Sequence, residues 1–169
     1  IIDGMEKELL LLAQKMSSKR ISAAKKLSES LTAQIQELNM KGAFVKITII
    51  PIDALSFSGK DELVFMVQTN PGEGMHLLGN VASGGELSRI LLCLRQLSSS
   101  AGKISIFLFD EVDTGIGGET GLLLGKHLSQ LSKRIQVLAI THLPQIAFNA
   151  DQLIKVEKLV EKEKNKDRT

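Results

Sequence analysis

At 169 residues, with 43% hydrophobic and 24% charged side chains, the chain has the size and balance of one globular domain able to bury a real core. A net charge of +2 is too small to argue by itself for nucleic acid, and no Trp, no Tyr and only six Phe argue against a base-stacking platform. The longest apolar run falls far short of a membrane span, and no signal-peptide pattern opens the chain. The single cysteine, Cys93, forms no internal disulfide. Its apolar surroundings, Ile90 to Leu94, place it in a core and suit a reducing cytoplasm. A first residue that is not Met and a charged end read as those of a fragment.

Glu6 to Leu38 contains neither Gly nor Pro and reads as one or two helices. Met5, Leu9, Leu12 and Met16 alternate steps of four and three, making one apolar seam. Ala24, Leu27, Leu31, Ile35 and Leu38 continue a seam whose phase has drifted. Two heptads fit equally an amphipathic helix packed on its own domain and the end of an antiparallel coiled coil entering a globular head. Asn39 to Gly42 is a helix stop. Ala43 to Ile50 alternates and is rich in β-branched residues, which predicts a strand. Pro51 to Gly59 reads as a loop, and Leu63 to Gln68 as a second strand antiparallel to the first. Asn70 to Gly74 reads as another loop.

From there helix and strand alternate. The pattern predicts helices over Glu86–Leu97, Glu119–Leu131 and Pro144–Asn149, and strands over Ile104–Phe109, Ile135–Ile140 and Gln152–Val156. Alternation with near-continuous apolar strands implies a mostly parallel sheet covered by helices on both faces, an α/β architecture. The residues divide into a coiled-coil-like arm or connecting helix over 1–40, a head lobe over 41–157 and a solvated charged tail over 158–169.

Two stretches carry chemistry. Val81-Ala-Ser-Gly-Gly-Glu-Leu-Ser-Arg89 is a Ser-Gly-Gly turn opening a helix, and Ile104-Ser-Ile-Phe-Leu-Phe-Asp-Glu-Val-Asp113 is an apolar strand ending in carboxylates. In an open parallel sheet, ligands bind beyond the carboxyl ends of the strands, where Asp110 and Glu111 stand. Asp110 can hold Mg²⁺ through a coordinated water, and Glu111 can orient and deprotonate the water attacking a γ-phosphate. At Ser83, Gly84 and Gly85 the backbone can approach a ligand closely, and the helix that follows offers free N–H groups to an anion. Ser83 with Glu86 three residues later also matches a capping box, and a capped helix start can serve as an anion site too. His142, after the next strand, can hydrogen-bond a γ-phosphate and sense its loss. His76 and His127 have no such setting.

No G-x-x-x-x-G-K-[ST] phosphate loop occurs anywhere. Gly121-Leu-Leu-Leu-Gly-Lys-His127 imitates one, but it is a residue short between its glycines, ends in His and lies within a helical pattern. The chain thus holds part of an ATP site and lacks the part that grips most of the nucleotide.

In order, these residues resemble the carboxyl-terminal half of an ABC-type ATPase head: VASGGELSR resembles the signature motif, IFLFDEVD the Walker B strand and ITHLPQIA the switch-histidine segment. FDEVDTGIGG followed by THLPQIA is most similar to the RecN family of bacterial double-strand-break repair ATPases, relatives of the structural-maintenance-of-chromosomes (SMC) proteins. The resemblance implies that Asp110 supports Mg²⁺, Glu111 is the catalytic base and His142 touches the γ-phosphate. It implies that Ser83, Gly84, Gly85 and Glu86 meet ATP held by a second head, in a dimer that sandwiches nucleotide. Asp113 to Gly118 would link the two sites. It further implies DNA and the missing Walker A half as partners, no membrane, and a place at the bacterial nucleoid in the cytoplasm. Gly117 stands where transporters and SMC heads carry an Asp, so that residue's role does not carry over. Glu86 and Val112 stand where transporter domains favour Gln and Pro. Another SMC-like or transporter head and a non-catalytic assembly module are the competing readings.

Overall fold

The structure, a computed structural model, describes residues 2–81, 83–98 and 106–157. The helix α1 runs unbroken over Ile2–Glu37. It is followed by β1 (Phe44–Ser56), β2 (Gly59–Gln68), the two-residue β3 (His76–Leu77) and a 3₁₀ turn at Leu78–Asn80. The remainder is α2 (Gly84–Leu97), β4 (Ile106–Phe109), α3 (Gly118–Ser132), β5 (Gln136–Ala139) and the short α4 (Pro144–Ala147).

The expected single, mostly parallel sheet is replaced by two small ones. β1, β2 and β3 form an antiparallel sheet in that order, while β4 and β5 form a parallel pair with Phe107 opposite Val137 and Leu108 opposite Leu138. The antiparallel half follows from the short turn Phe57–Ser58 between β1 and β2, which leaves no room for a crossover. β1 also continues through Pro51 to Ser56, where a loop was expected. Pro51 has no N–H to give, which is tolerated because β1 lies at the sheet edge, and its pairing becomes irregular between Pro51 and Ser56.

That edge is covered by α1, whose side chains act as a substitute neighbouring strand. Ser28 Oγ accepts from Ile47 N at 2.9 Å, Thr32 Oγ1 accepts from Val45 N at 3.0 Å, and Gln36 Nε2 donates to Ala43 O at 2.8 Å. At the other end of the hairpin, buried Asp61 takes hydrogen bonds from Ser17 and pairs with Arg20 at 3.1 Å. Buried N–H groups must find partners, so the helix is registered on the hairpin along its length.

One core joins the carboxyl-terminal half of α1 (Leu31, Ile35, Leu38) to Val45 and Val67 of the hairpin, Ile90, Leu92 and Cys93 of α2, Phe109 of β4 and Leu124, Leu128 and Leu131 of α3. Burial pushes the Cys93 thiol up to about 12, so it is an inert core residue. The two halves of the α1 seam have different fates: Met5, Leu9, Leu12 and Met16 are exposed.

β4 and β5 are likewise covered on one face only. Phe107, Phe109 and Val137 turn to the core, whereas Ile106, Leu108 and Leu138 are exposed, as is Ile140 just beyond β5. The expected strand over Gln152–Val156 is absent; Leu153, Ile154 and Val156 are exposed there. An apolar run forms a strand only where a neighbour supplies hydrogen bonds and cover, and among the described residues none pairs with these. No helix among the described residues is long and apolar enough to cross a membrane. The charged tail, 158–169, lies outside the described residues.

Candidate functional site

β4 delivers Asp110 and Glu111 at its carboxyl end, and both are exposed. β5, parallel to it, delivers Thr141 and His142 at the corresponding end, and Ile140 N donates to Phe109 O at 2.9 Å to continue the ladder up to the site. Two parallel strands must open onto the same edge, so both segments arrive together.

The Ser-Gly-Gly turn reaches that edge from α2. Ser83 is the N-cap in extended conformation, and its hydroxyl accepts from Glu86 N at 3.4 Å. Glu86 lies in the first turn, where a negative charge favours the helix start. Gly84 is exposed, and Gly85 is buried against the chain that follows β4. A Cβ on Gly85 would stand 2.9 Å from Glu111 O and 3.0 Å from the Thr114 Cβ, whereas one on Gly84 would stand 3.0 Å from Glu111 Oε2. The turn and the candidate base are therefore in contact within one chain. Glu111 itself has φ 55°, a left-handed conformation that costs a non-glycine residue roughly 1–2 kcal/mol.

The first residue of the expected linking loop is the hub of the edge. Asp113 is buried; its Oδ2 accepts from the Thr141 hydroxyl and from the His142 backbone N–H at 2.9 Å, and the His142 ring Nδ1 lies 3.0 Å from it. Burial pushes its carboxyl up, but the hydrogen bonds from Thr141 and His142 and the nearby His142 ring together hold it below the ordinary carboxylate value. The signal was in the sequence, as the second Asp of Asp-Glu-Val-Asp, but its partner lies 29 residues on. Arg89, also buried, donates through Nη1 to Val112 O at 3.3 Å and Thr114 O at 2.9 Å, clamping the same loop to α2. Burial lowers its basicity, partly offset by Glu86.

The glycines of the false phosphate loop, with Gly118 ahead of them, have a packing role. Gly118, Gly121 and Gly125 line the face of α3 against the segment after His142. Added Cβ atoms would meet Gln145 Nε2 at 3.0 Å, Leu143 Cδ1 at 3.2 Å and the Gln145 carbonyl at 3.1 Å respectively. His127 bridges helices, with Nδ1 2.6 Å from Gln96 Oε1 and Gln96 Nε2 donating to its carbonyl.

Among the described residues no cluster of three or more His, Cys, Asp or Glu could cage a metal. A lone exposed carboxylate such as Asp110 suits Mg²⁺, which keeps most of its waters and binds through one or two carboxylates and substrate phosphates.

No protein-family profile matches the chain. It is 45% identical over 155 residues to DNA repair protein RecN of Rickettsia felis, and 36% identical over 172 residues to that of Haemophilus influenzae. These alignments take in 91% and 94% of the chain but 28% and 31% of the relatives, so the chain spans under a third of their length. Its fold is similar to the Smc head domain with an extended coiled coil from Pyrococcus furiosus, with TM-score 0.58 at 14% identity, covering 88% of this chain and 36% of that one. A second Smc head, from Pyrococcus yayanosii, gives TM-score 0.54 at 16% identity, covering 89% of this chain and 26% of that one.

Proposed function

From its homology to a segment of DNA repair protein RecN along nine-tenths of its length, we infer that this chain is the carboxyl-terminal lobe of an SMC-like ATPase head acting in DNA repair. The observation that carries the reading is the shared edge: the ends of β4 and β5 and the start of α2 bring Asp110, Glu111, His142 and Ser83 to one rim with their loops interlocked.

In this reading Asp110 supports Mg²⁺, which would neutralise phosphate charge when bound. Glu111 takes the proton of the attacking water, and His142 contacts the γ-phosphate. Ser83, Gly84 and Gly85, with the α2 N–H groups behind them, meet the ATP of a second copy, and Glu86 anchors that turn. The exposed faces of β4 and β5 dock the Walker A half of the same head, and the exposed seam of α1 pairs with the opposing coiled-coil arm. ATP then clamps two heads beside DNA, and hydrolysis releases them. The protein works at the nucleoid, in the cytoplasm of a bacterium. Without a phosphate loop the chain by itself has little affinity for nucleotide and negligible turnover.

The test is a head completed with its Walker A half and carrying Glu111→Gln. Turnover should fall at least 100-fold while an ATP-bound dimer accumulates in gel filtration, because the amide keeps the shape but cannot take the proton. Hydrolysis at the unaltered rate removes Glu111 from the base role. Ser83→Arg should block pairing while leaving nucleotide binding at the same head's own phosphate loop; intact pairing refutes the contact across the dimer.

A further inference from the structure

The contacts around Asp113 exceed what a turn requires. Capping the chain as it leaves β5 needs only the Thr141 hydroxyl and the His142 N–H, both of which Asp113 Oδ2 accepts. The third contact, to His142 Nδ1 at 3.0 Å, reaches out to a side chain that is 73% exposed, while the Asp113 side chain is 4% exposed. At that distance an unprotonated Nδ1 would set its lone pair against the carboxylate, so the arrangement favours a proton on Nδ1 and leaves Nε2 as the ring atom available to a ligand. Thr141 is held in turn, accepting from Leu143 N at 3.0 Å. On the other side, Arg89 pins the carbonyls of Val112 and Thr114, which flank Asp113.

We propose that Asp113 is a positioning residue: it locks the His142 ring in the Nδ1–H tautomer and ties its placement to the Ser-Gly-Gly helix through Arg89. This rests on the ATPase reading for what Nε2 touches, but the tautomer does not. With Nδ1 committed to Asp113, Nε2 donates to a phosphate oxygen only from the doubly protonated ring, so the buried carboxylate also supplies the counter-charge that such a ring needs.

Two measurements test it. Nitrogen-15 spectra of the histidine-labelled chain read each ring's tautomer, with three histidines to assign and His142→Gln to identify the signal. His142 should be Nδ1–H, should remain so in Asp113→Asn, whose amide oxygen still accepts, and should move toward Nε2–H in Asp113→Ala. An Nε2–H ring in the unaltered protein overturns the proposal. In the completed head, Asp113→Ala should lower kcat by about 10- to 100-fold, as for other partners that orient a histidine, with KM for ATP little changed. In a His142→Ala background the same substitution should cost almost nothing further. An equal loss in both backgrounds marks Asp113 as merely structural and overturns the proposal. If the completed, unaltered head shows no turnover, the ATPase reading fails, and the nitrogen spectra still decide the Asp113–His142 pair.

Discussion

Gly85 is the position where one added methyl group meets an unyielding neighbour. Its Cβ would press on the Glu111 carbonyl and the Thr114 side chain, and the loop carrying them is held by Arg89 and cannot easily retreat. Gly84→Ala meets only the far end of the Glu111 side chain, which can swing aside. Gly85→Ala should therefore destabilise the fold by about 1–3 kcal/mol in urea titration, and Gly84→Ala by well under about 1 kcal/mol. Equal effects would mean that α2 does not pack on the loop as described. The carboxylates of this loop divide by environment: Asp110 and Glu111 remain accessible to a ligand, while Asp113 is spent inside the protein on Thr141 and His142.

Among the elements, α1 changes role along its length. Leu31 lies in the core, whereas Leu9 is exposed. Leu31→Ala should cost about 2–5 kcal/mol and Leu9→Ala less than about 0.5 kcal/mol in this chain, since only the first leaves a cavity. If an opposing arm pairs with this seam as proposed, the second should gain weight in its presence. Helices α2 and α3 meet at His127, whose burial lowers its affinity for a proton despite Glu37 3.9 Å away. The folded state then binds this proton less readily than the unfolded chain, so its contribution is fully present above about pH 6.5 and is lost as pH falls through that value toward the lower folded one. Thermal melts of His127→Gln should show a shallower loss of stability between neutral and mildly acid pH than the unaltered chain. An unchanged slope would clear His127 of that role. Asp113 works at the other end of the scale: its depressed pKa gives stability that persists until pH drops below about 3.8.

For the molecule as a whole, the open face of the parallel pair is an exposed apolar surface. Four aliphatic side chains on or just beyond two adjacent strands, Ile106, Leu108, Leu138 and Ile140, stand exposed where a sheet normally carries cover. Adding the Walker A half should slow amide exchange in Gln136–Ala139, read by mass spectrometry, while leaving β1 and β2 nearly unchanged. Exchange that does not slow would show that this face is not the docking site proposed for that half.

Much of the chain was legible in its residues. The α1 helix, the first strand, the three later helices and the two strands that carry the site follow from periodicity and from Gly and Pro punctuation, because these act over a few neighbouring residues. Motif spacing singled out Ser83, Asp110, Glu111 and His142 in the same way. Other features depended on partners distant along the chain. Whether an apolar run is a covered strand is decided by what packs on it, and so Gln152–Val156, apolar enough, forms no strand. Whether Pro51 ends a strand depends on its lying at an edge that α1 covers with side chains. The part played by Asp113 is settled by a backbone turn 29 residues away, brought near only when β4 and β5 align in parallel. Local chemistry determines which segments can form and which groups can react; burial and hydrogen bonding between remote segments determine which of them do.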